Sequence, residues 1–196
     1  MWSPLTSGLS FLVNTVFTLY LFVLLVRVLL PAVGADYYNP FCQFIIKLTE
    51  PLIAPLQKIL PRPGRFDTAA FIILFLFTCI KNWILLGLLL SAHIFWPGLV
   101  LLALAQILEM LIQFYFFAII IQVILSWVQP KTYNPMIIIL LQLTEPLLAP
   151  ARRLIPAMSG LDLSSLAVII LLQLTKIVIV NPLVLFSLQL TIGIIR

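Results

Sequence analysis

Two lysines sit where a chain can least easily keep a charge. Lys81 lies 14 residues beyond Asp67 in an apolar run, and Lys176 lies the same distance beyond Asp162. At about 1.5 Å of rise per helical residue each ammonium is roughly 21 Å up its helix. That is past the midplane of a hydrocarbon layer about 30 Å thick. A charge at that depth costs a few kcal/mol, so such residues turn towards a bundle interior or a wet cavity. Thr78 and Gln173 stand one turn earlier on the same faces. Partners come from other runs: Ser7, Ser10, Asn14 and Thr18 form one stripe at helical spacing, and Gln106, Glu109 and Gln113 form another. Glu109 is expected to pair with Lys176 or, from the other side, with Lys81. Asn14, at the equivalent position, is expected to hydrogen-bond Lys81. Such a layer can fasten helices together at about 1 kcal/mol per contact, or it can conduct or sense. Alternatively the lysines snorkel out to the headgroups.

A second set of polar residues recurs in a motif. Asn39-Pro40 opens a segment that reaches Glu50-Pro51, and Asn134-Pro135 opens one that reaches Glu145-Pro146. Asn before Pro is a helix start, with the amide oxygen as cap and the ring at the first helical position. The prolines at 51, 55, 146 and 150 predict a break in each segment near the Glu-Pro pair. Thr49 and Glu50 would then cap a second short helix, or serve as a docking surface. Lys58, Arg62, Arg65, Arg152 and Arg153 follow the motifs. They suit anionic headgroups, at about 1 kcal/mol per basic residue.

Catalysis has little support. His93 has no Cys or carboxylate neighbour, and no nucleophile-base pair, metal-ligand spacing or Gly-rich phosphate loop occurs. The expectation is therefore no enzyme, no cofactor and no metal. Cys42 and Cys79 read as small apolar filler. The basic residues are scattered along turns, which gives nucleic acid no footprint.

The two motif copies lie 95 residues apart without a gap. The register also matches Tyr20 with Tyr115, Asp67 with Asp162 and Lys81 with Lys176. One unit has been duplicated in tandem. The first copy is residues 1–95 and the second 96–196. The chain is 63% hydrophobic and 9% charged, against about 25% charged in soluble domains, so its solvent is lipid. Spans are expected at about 9–33, 67–93, 99–128 and 162–195. Broken amphipathic segments at 39–61 and 134–156 are too short and polar to cross and should lie in the interface. Arg27 is expected to snorkel, Asp67 and Asp162 to cap their spans, and Pro182 to kink the fourth. The first span reads as retained, because no Lys or Arg precedes it and it is too long for a signal peptide.

The run NPFCQFIIKLTEPLIAPLQKILP, followed by Asp67 and the apolar run with Lys81, resembles the YggT family of small bacterial membrane proteins. NPMIIILLQLTEPLLAPARRLIPAMSGLD resembles it more closely still. The likeness covers nearly the whole chain. It implies an inner-membrane protein, with plastid and cyanobacterial relatives tied to cofactor assembly and to organelle or nucleoid organisation, and a family association with osmotic stress. It implies no settled biochemical activity.

Positive charges set the orientation. Lys47, Lys58, Arg62 and Arg65 lie between spans one and two, and Lys131, Arg152 and Arg153 between spans three and four. Both motif segments are therefore expected in the cytoplasm, with both termini periplasmic. The copies share one orientation, related by an axis along the membrane normal. The fold expected is an all-α polytopic protein of duplicated two-span units. The function expected is a membrane-organising, assembly or stress-tolerance factor, whose partners are the bilayer, anionic lipid, and a membrane protein or a second copy. The alternative is a small ion or solute transporter that uses the Lys/Glu layer.

Overall fold

Several helices start or stop on a local signal. In the computed structural model, which describes residues 4–61, 64–90, 94–128, 134–154 and 163–193, the first unit is α1 (Pro4–Ala32), α2 (Pro40–Gln57) and α3 (Thr68–Leu90). The second is α4 (Trp96–Val128), α5 (Pro135–Leu154), α6 (Leu163–Thr175) and α7 (Asn181–Thr191). Gly34, at φ 68°, ends α1, and the Ala35 amide reaches back to Leu30 O at 3.0 Å, a Schellman closure. Asn39 Oδ1 accepts from the Phe41 amide at 2.9 Å, and Asn134 Oδ1 from Met136 at 2.9 Å. Asp67 Oδ1 accepts from Ala70 at 3.1 Å and so caps α3. Asp162 lies outside the described residues, as do Arg62, His93, Lys131 and Pro156.

Among the described residues all regular structure is helical. Four stretches, Pro4–Ala32, Thr68–Gly87, Trp96–Val128 and Leu163–Thr191, are long and apolar enough to cross a membrane. Within the first unit α1 packs on α3, with Leu21, Leu24 and Leu25 meeting Ala69, Ala70 and Leu74, and Ile53 of α2 closing the cluster. Within the second, α4 packs on α6 and α7, and α3 against α4 joins the units.

The amphipathic segments differ from expectation: α2 and α5 run unbroken through their prolines. A proline in a helix orphans the carbonyl four residues back. Here Lys47, Pro51 and Pro55 form one exposed stripe, so the freed carbonyls of Lys47 and Pro51 face the open side, where water can satisfy them. Thr49 and Glu50 therefore cap nothing, and the Thr49 hydroxyl bonds Ile45 O at 2.8 Å within the same helix.

The fourth span does lose its regular register ahead of Pro182. Lys176–Val180 forms a π-helical turn, in which the Asn181 amide reaches back to Lys176 O. The irregularity therefore falls on Lys176. Such one-turn widenings are frequently found at functional sites.

Candidate functional site

The second unit's polar stripe meets the second lysine. Lys176 Nζ donates to Gln113 Oε1 at 2.8 Å and lies 3.4 Å from Glu109 Oε1. Gln113 and Glu109 are one turn apart on α4, so both project towards the widened turn of the facing span. Lys81 is different. It is 8% exposed, and no hydrogen bond or ion pair reaches it among the described residues. Asn14 does not serve it: its side chain is exposed and makes no hydrogen bond among the described residues. The buried face of α1 begins only at Leu21, so at the level of Asn14 this helix does not pack inward. Thr78 is buried, but its hydroxyl bonds Leu74 O at 2.8 Å. Gln173 is partly buried and lies outside the lining that holds Lys176.

Lys81, Glu109, Gln113 and Lys176 border one cavity of about 940 Å³. It lies between α1 and α3 on one side and α4, α5 and the π turn on the other. The polar layer therefore borders an open space between the units and is not packed dry. Lys176→Met leaves the Glu109 carboxylate, 37% exposed, without its cation. We expect a lower thermal midpoint in detergent micelles, equivalent to about 1–3 kcal/mol. Glu109→Gln should cost less, because Lys176 keeps Gln113. An unchanged Glu109→Gln beside a severe Lys176→Met would remove the pair from the account.

A second charge cluster sits at the motif end of the bundle. Arg27 does not snorkel. Its side chain is 5% exposed and its Nη2 lies 3.5 Å from Asp67 Oδ2, with Glu50 at 4.0 Å. Gln57 Nε2 donates to the same Asp67 oxygen at 2.8 Å. The aspartate thus caps α3, binds the guanidinium and holds α2 at once. The second unit is built differently: Gln122 replaces Arg27 and Arg152 replaces Gln57 at the repeat offset of 95 residues. Gln122 accepts from the buried Thr144 hydroxyl, and Arg152 pairs with Glu145 at 3.1 Å. The arginine has changed places with the glutamine between copies. That exchange is visible in the sequence and marks Arg27 and Gln57 as a pair converging on one acidic group.

The motif helices meet across the repeat. Asn39 Nδ2 donates to Pro135 O at 2.9 Å, and Cys42 and Ile45 of α2 share a core with Ile139 and Leu143 of α5 and with Val26 and Leu30 of α1. Burial, and then the Asp36 carboxylate, push the Cys42 thiol above its usual range despite Arg27, which keeps it an inert packing group. Pro40 and Pro135 stand at the helix starts, while Pro51 and Pro146 are exposed beside the exposed Glu50 and Glu145. Lys58, Arg65, Arg152 and Arg153 are all exposed.

Two copies of a span, an amphipathic helix and a second span, joined through a charged layer, define a duplicated multi-pass membrane protein. The chain belongs to the CCB3/YggT family, whose model matches residues 6–89 and again residues 101–183. It is 40% identical over 169 residues to an uncharacterized protein in the proC 3' region of Vibrio alginolyticus, covering 85% of this chain and 90% of that one. It is 38% identical over 164 residues to the uncharacterized protein YggT of Escherichia coli, covering 84% and 85%. An uncharacterized protein of Pseudomonas aeruginosa is 36% identical over 180 residues, or 91% of each chain. No solved structure matches the chain.

Proposed function

We propose that this chain is a non-enzymatic inner-membrane protein that organises partners at the cytoplasmic surface, as an assembly or stress-tolerance factor. The observation that carries this reading is the joining of α2 and α5 into one platform by the Asn39–Pro135 bond and a shared core. A platform held in fixed geometry can present a surface, whereas two independent segments would each have to be ordered on binding. Its open side alternates apolar and basic groups: Phe44, Leu48 and Leu52 stand beside Lys47 and Lys58. That composition seats a helix among headgroups while leaving charged groups for a partner. The excess of basic residues on this side supports a cytoplasmic location, with both termini periplasmic.

A photocrosslinker at Phe44, in membranes of the native cell, is expected to give a discrete protein adduct. The same probe at Leu19, an outward-facing residue of α1 that is 66% exposed, is expected to give only lipid. Lipid adducts alone from both positions would sink the platform reading. The second reading, a small ion or solute transporter, draws on the cavity shared by Lys81, Lys176 and Glu109. Ion flux in proteoliposomes that disappears in Lys81→Met would establish it in place of the first.

A further inference from the structure

We propose that the cavity between the two units binds a single-chain anionic amphiphile, with its charged head at Lys81 and its chain along α4. The proposal is independent of the platform reading.

The first argument is charge. Among the described residues the ionisable side chains lining the cavity are Lys81, Glu109 and Lys176. Glu109 is already engaged by Lys176 at 3.4 Å, which leaves one ammonium over. Lys81 is more than nine-tenths buried and, among the described residues, makes no hydrogen bond or close ion pair; the Glu109 carboxylate on the same cavity acts on both lysines. A buried charge is costly unless it is paired; two ammoniums share one carboxylate here, so an anion is the ligand that balances the cavity.

Shape and polarity carry the second argument. Along α4 the lining runs from Gln106 to Leu125, about 28 Å at 1.5 Å per residue. All the ionisable groups stand at the Gln106 end, while the far end is lined by Ile121, Leu125, Met136 and Leu140. A hydrated ion would meet mostly hydrocarbon along such a slot, whereas an acyl chain would meet its own kind. The volume of about 940 Å³ is at the upper end of ligand cavities, which run from about 300 to 1,000 Å³. Gln106 also leaves its side-chain oxygen buried and without a hydrogen-bond partner at the charged end. The head is read as an anion, a carboxylate or a phosphate, because the ammonium is the group in surplus; the Gln106 oxygen is an acceptor and can serve only a donor such as the Lys81 ammonium.

The test uses the full chain in micelles of an uncharged detergent. The probes are a diazirine-bearing palmitic acid and the matching palmityl alcohol, with labelled residues located by mass spectrometry. Saturable labelling of α4 and α5 residues of the lining is expected from the acid, and at least roughly tenfold weaker labelling from the alcohol. Lysophosphatidic acid should compete, which would extend the site to phosphate heads, and failure to compete would restrict it to carboxylates within the same class. Inorganic phosphate should not compete. Displacement by it would overturn the proposal in favour of a small free anion. Lys81→Met should lower labelling by the acid roughly tenfold. Glu109→Gln should raise it, because the carboxylate no longer repels the head or holds Lys176. Loss of fold would give diffuse, unsaturable labelling, so a saturable gain at the same lining residues in Glu109→Gln is a result that misfolding does not mimic. Equal labelling by acid and alcohol, or a fall in Glu109→Gln, overturns the proposal.

Discussion

Replacing Arg27 by Gln is expected to destabilise the protein by about 3–5 kcal/mol, the range for breaking a buried ion pair by removing one partner. The loss comes from what is left behind. Asp67 is 3% exposed, and without the guanidinium its carboxylate keeps, among the described residues, the Ala70 amide and the Gln57 side chain. The measurement is the thermal midpoint in detergent, together with the steady-state amount in membranes. The second unit suggests the rescue. It carries Gln122 where the first has Arg27, and Arg152 where the first has Gln57. Gln57 already reaches Asp67 at 2.8 Å, so an arginine there approaches the same carboxylate from α2. The double variant Arg27→Gln, Gln57→Arg is expected to recover at least half of the loss. Glu50→Gln should cost no more than about 1 kcal/mol, because that carboxylate is 48% exposed and 4.0 Å away. A double variant no better than the single would mean that the two units do not solve the same electrostatic problem.

The sequence carries the large features because they rest on strong local physics. Apolar runs long enough to cross hydrocarbon, asparagine caps before proline, and a repeat register are all readable from residue types alone. Glu109 and Lys176 could be matched because helical rise fixes depth and both had to escape lipid. Depth does not fix direction, however. Asn14 stands at the level of Glu109 in the repeat, yet it is exposed because the upper part of α1 does not pack inward. Arg27 departs from the snorkelling expectation for a related reason. Its place near the end of a span is compatible with snorkelling, and only packing of α1 on α3 decides that it turns to Asp67 instead. The exchange of Arg and Gln between copies held that information, but it becomes a signal only when both positions are considered against one aspartate.

The unbroken α2 and α5 show how tertiary setting overrides local propensity. Proline is among the strongest helix breakers, at about 3 kcal/mol in a helix interior. Part of that penalty is an orphaned carbonyl, and its cost depends on where the carbonyl points. Pro51 and Pro55 lie four residues apart, so the freed groups line one open stripe while Cys42, Ile45, Thr49 and Ile53 stay buried on the other. The helix continues because its core face is intact. The same arrangement holds in α5, with Ile139, Leu143, Thr144 and Leu148 buried and Pro146 and Pro150 exposed.

The second large effect is expected at Gly98. A Cβ built there would lie 2.5 Å from the backbone nitrogen of Thr191 and 2.6 Å from its Cα. These are main-chain atoms, so no rotamer change can relieve the clash, and α4 and α7 must move apart. The approach is sealed by the Phe95 amide donating to Thr191 O at 2.9 Å, and by Leu99, Leu102, Val184, Leu188 and Leu86 packing around it. Small residues permit such close approach of spans. Gly98→Ala is expected to cost about 1–3 kcal/mol, the range for overpacking, and Gly98→Val more. Thr191→Ala should not rescue either, because the contacting backbone remains. Gly87 supplies the control: it is helical, with nothing within 4 Å of an added Cβ. Gly87→Ala should therefore be neutral, or stabilising by up to about 1 kcal/mol from helix propensity. The displacement at Gly98 has a further consequence. α7 continues directly from the π turn that carries Lys176, so separating it from α4 must strain the 2.8 Å bond to Gln113. In Gly98→Val the midpoint should fall and the cost of Lys176→Met should shrink, since the pair it removes is already loosened. Fully additive losses would mean that the terminal contact and the polar layer are held independently.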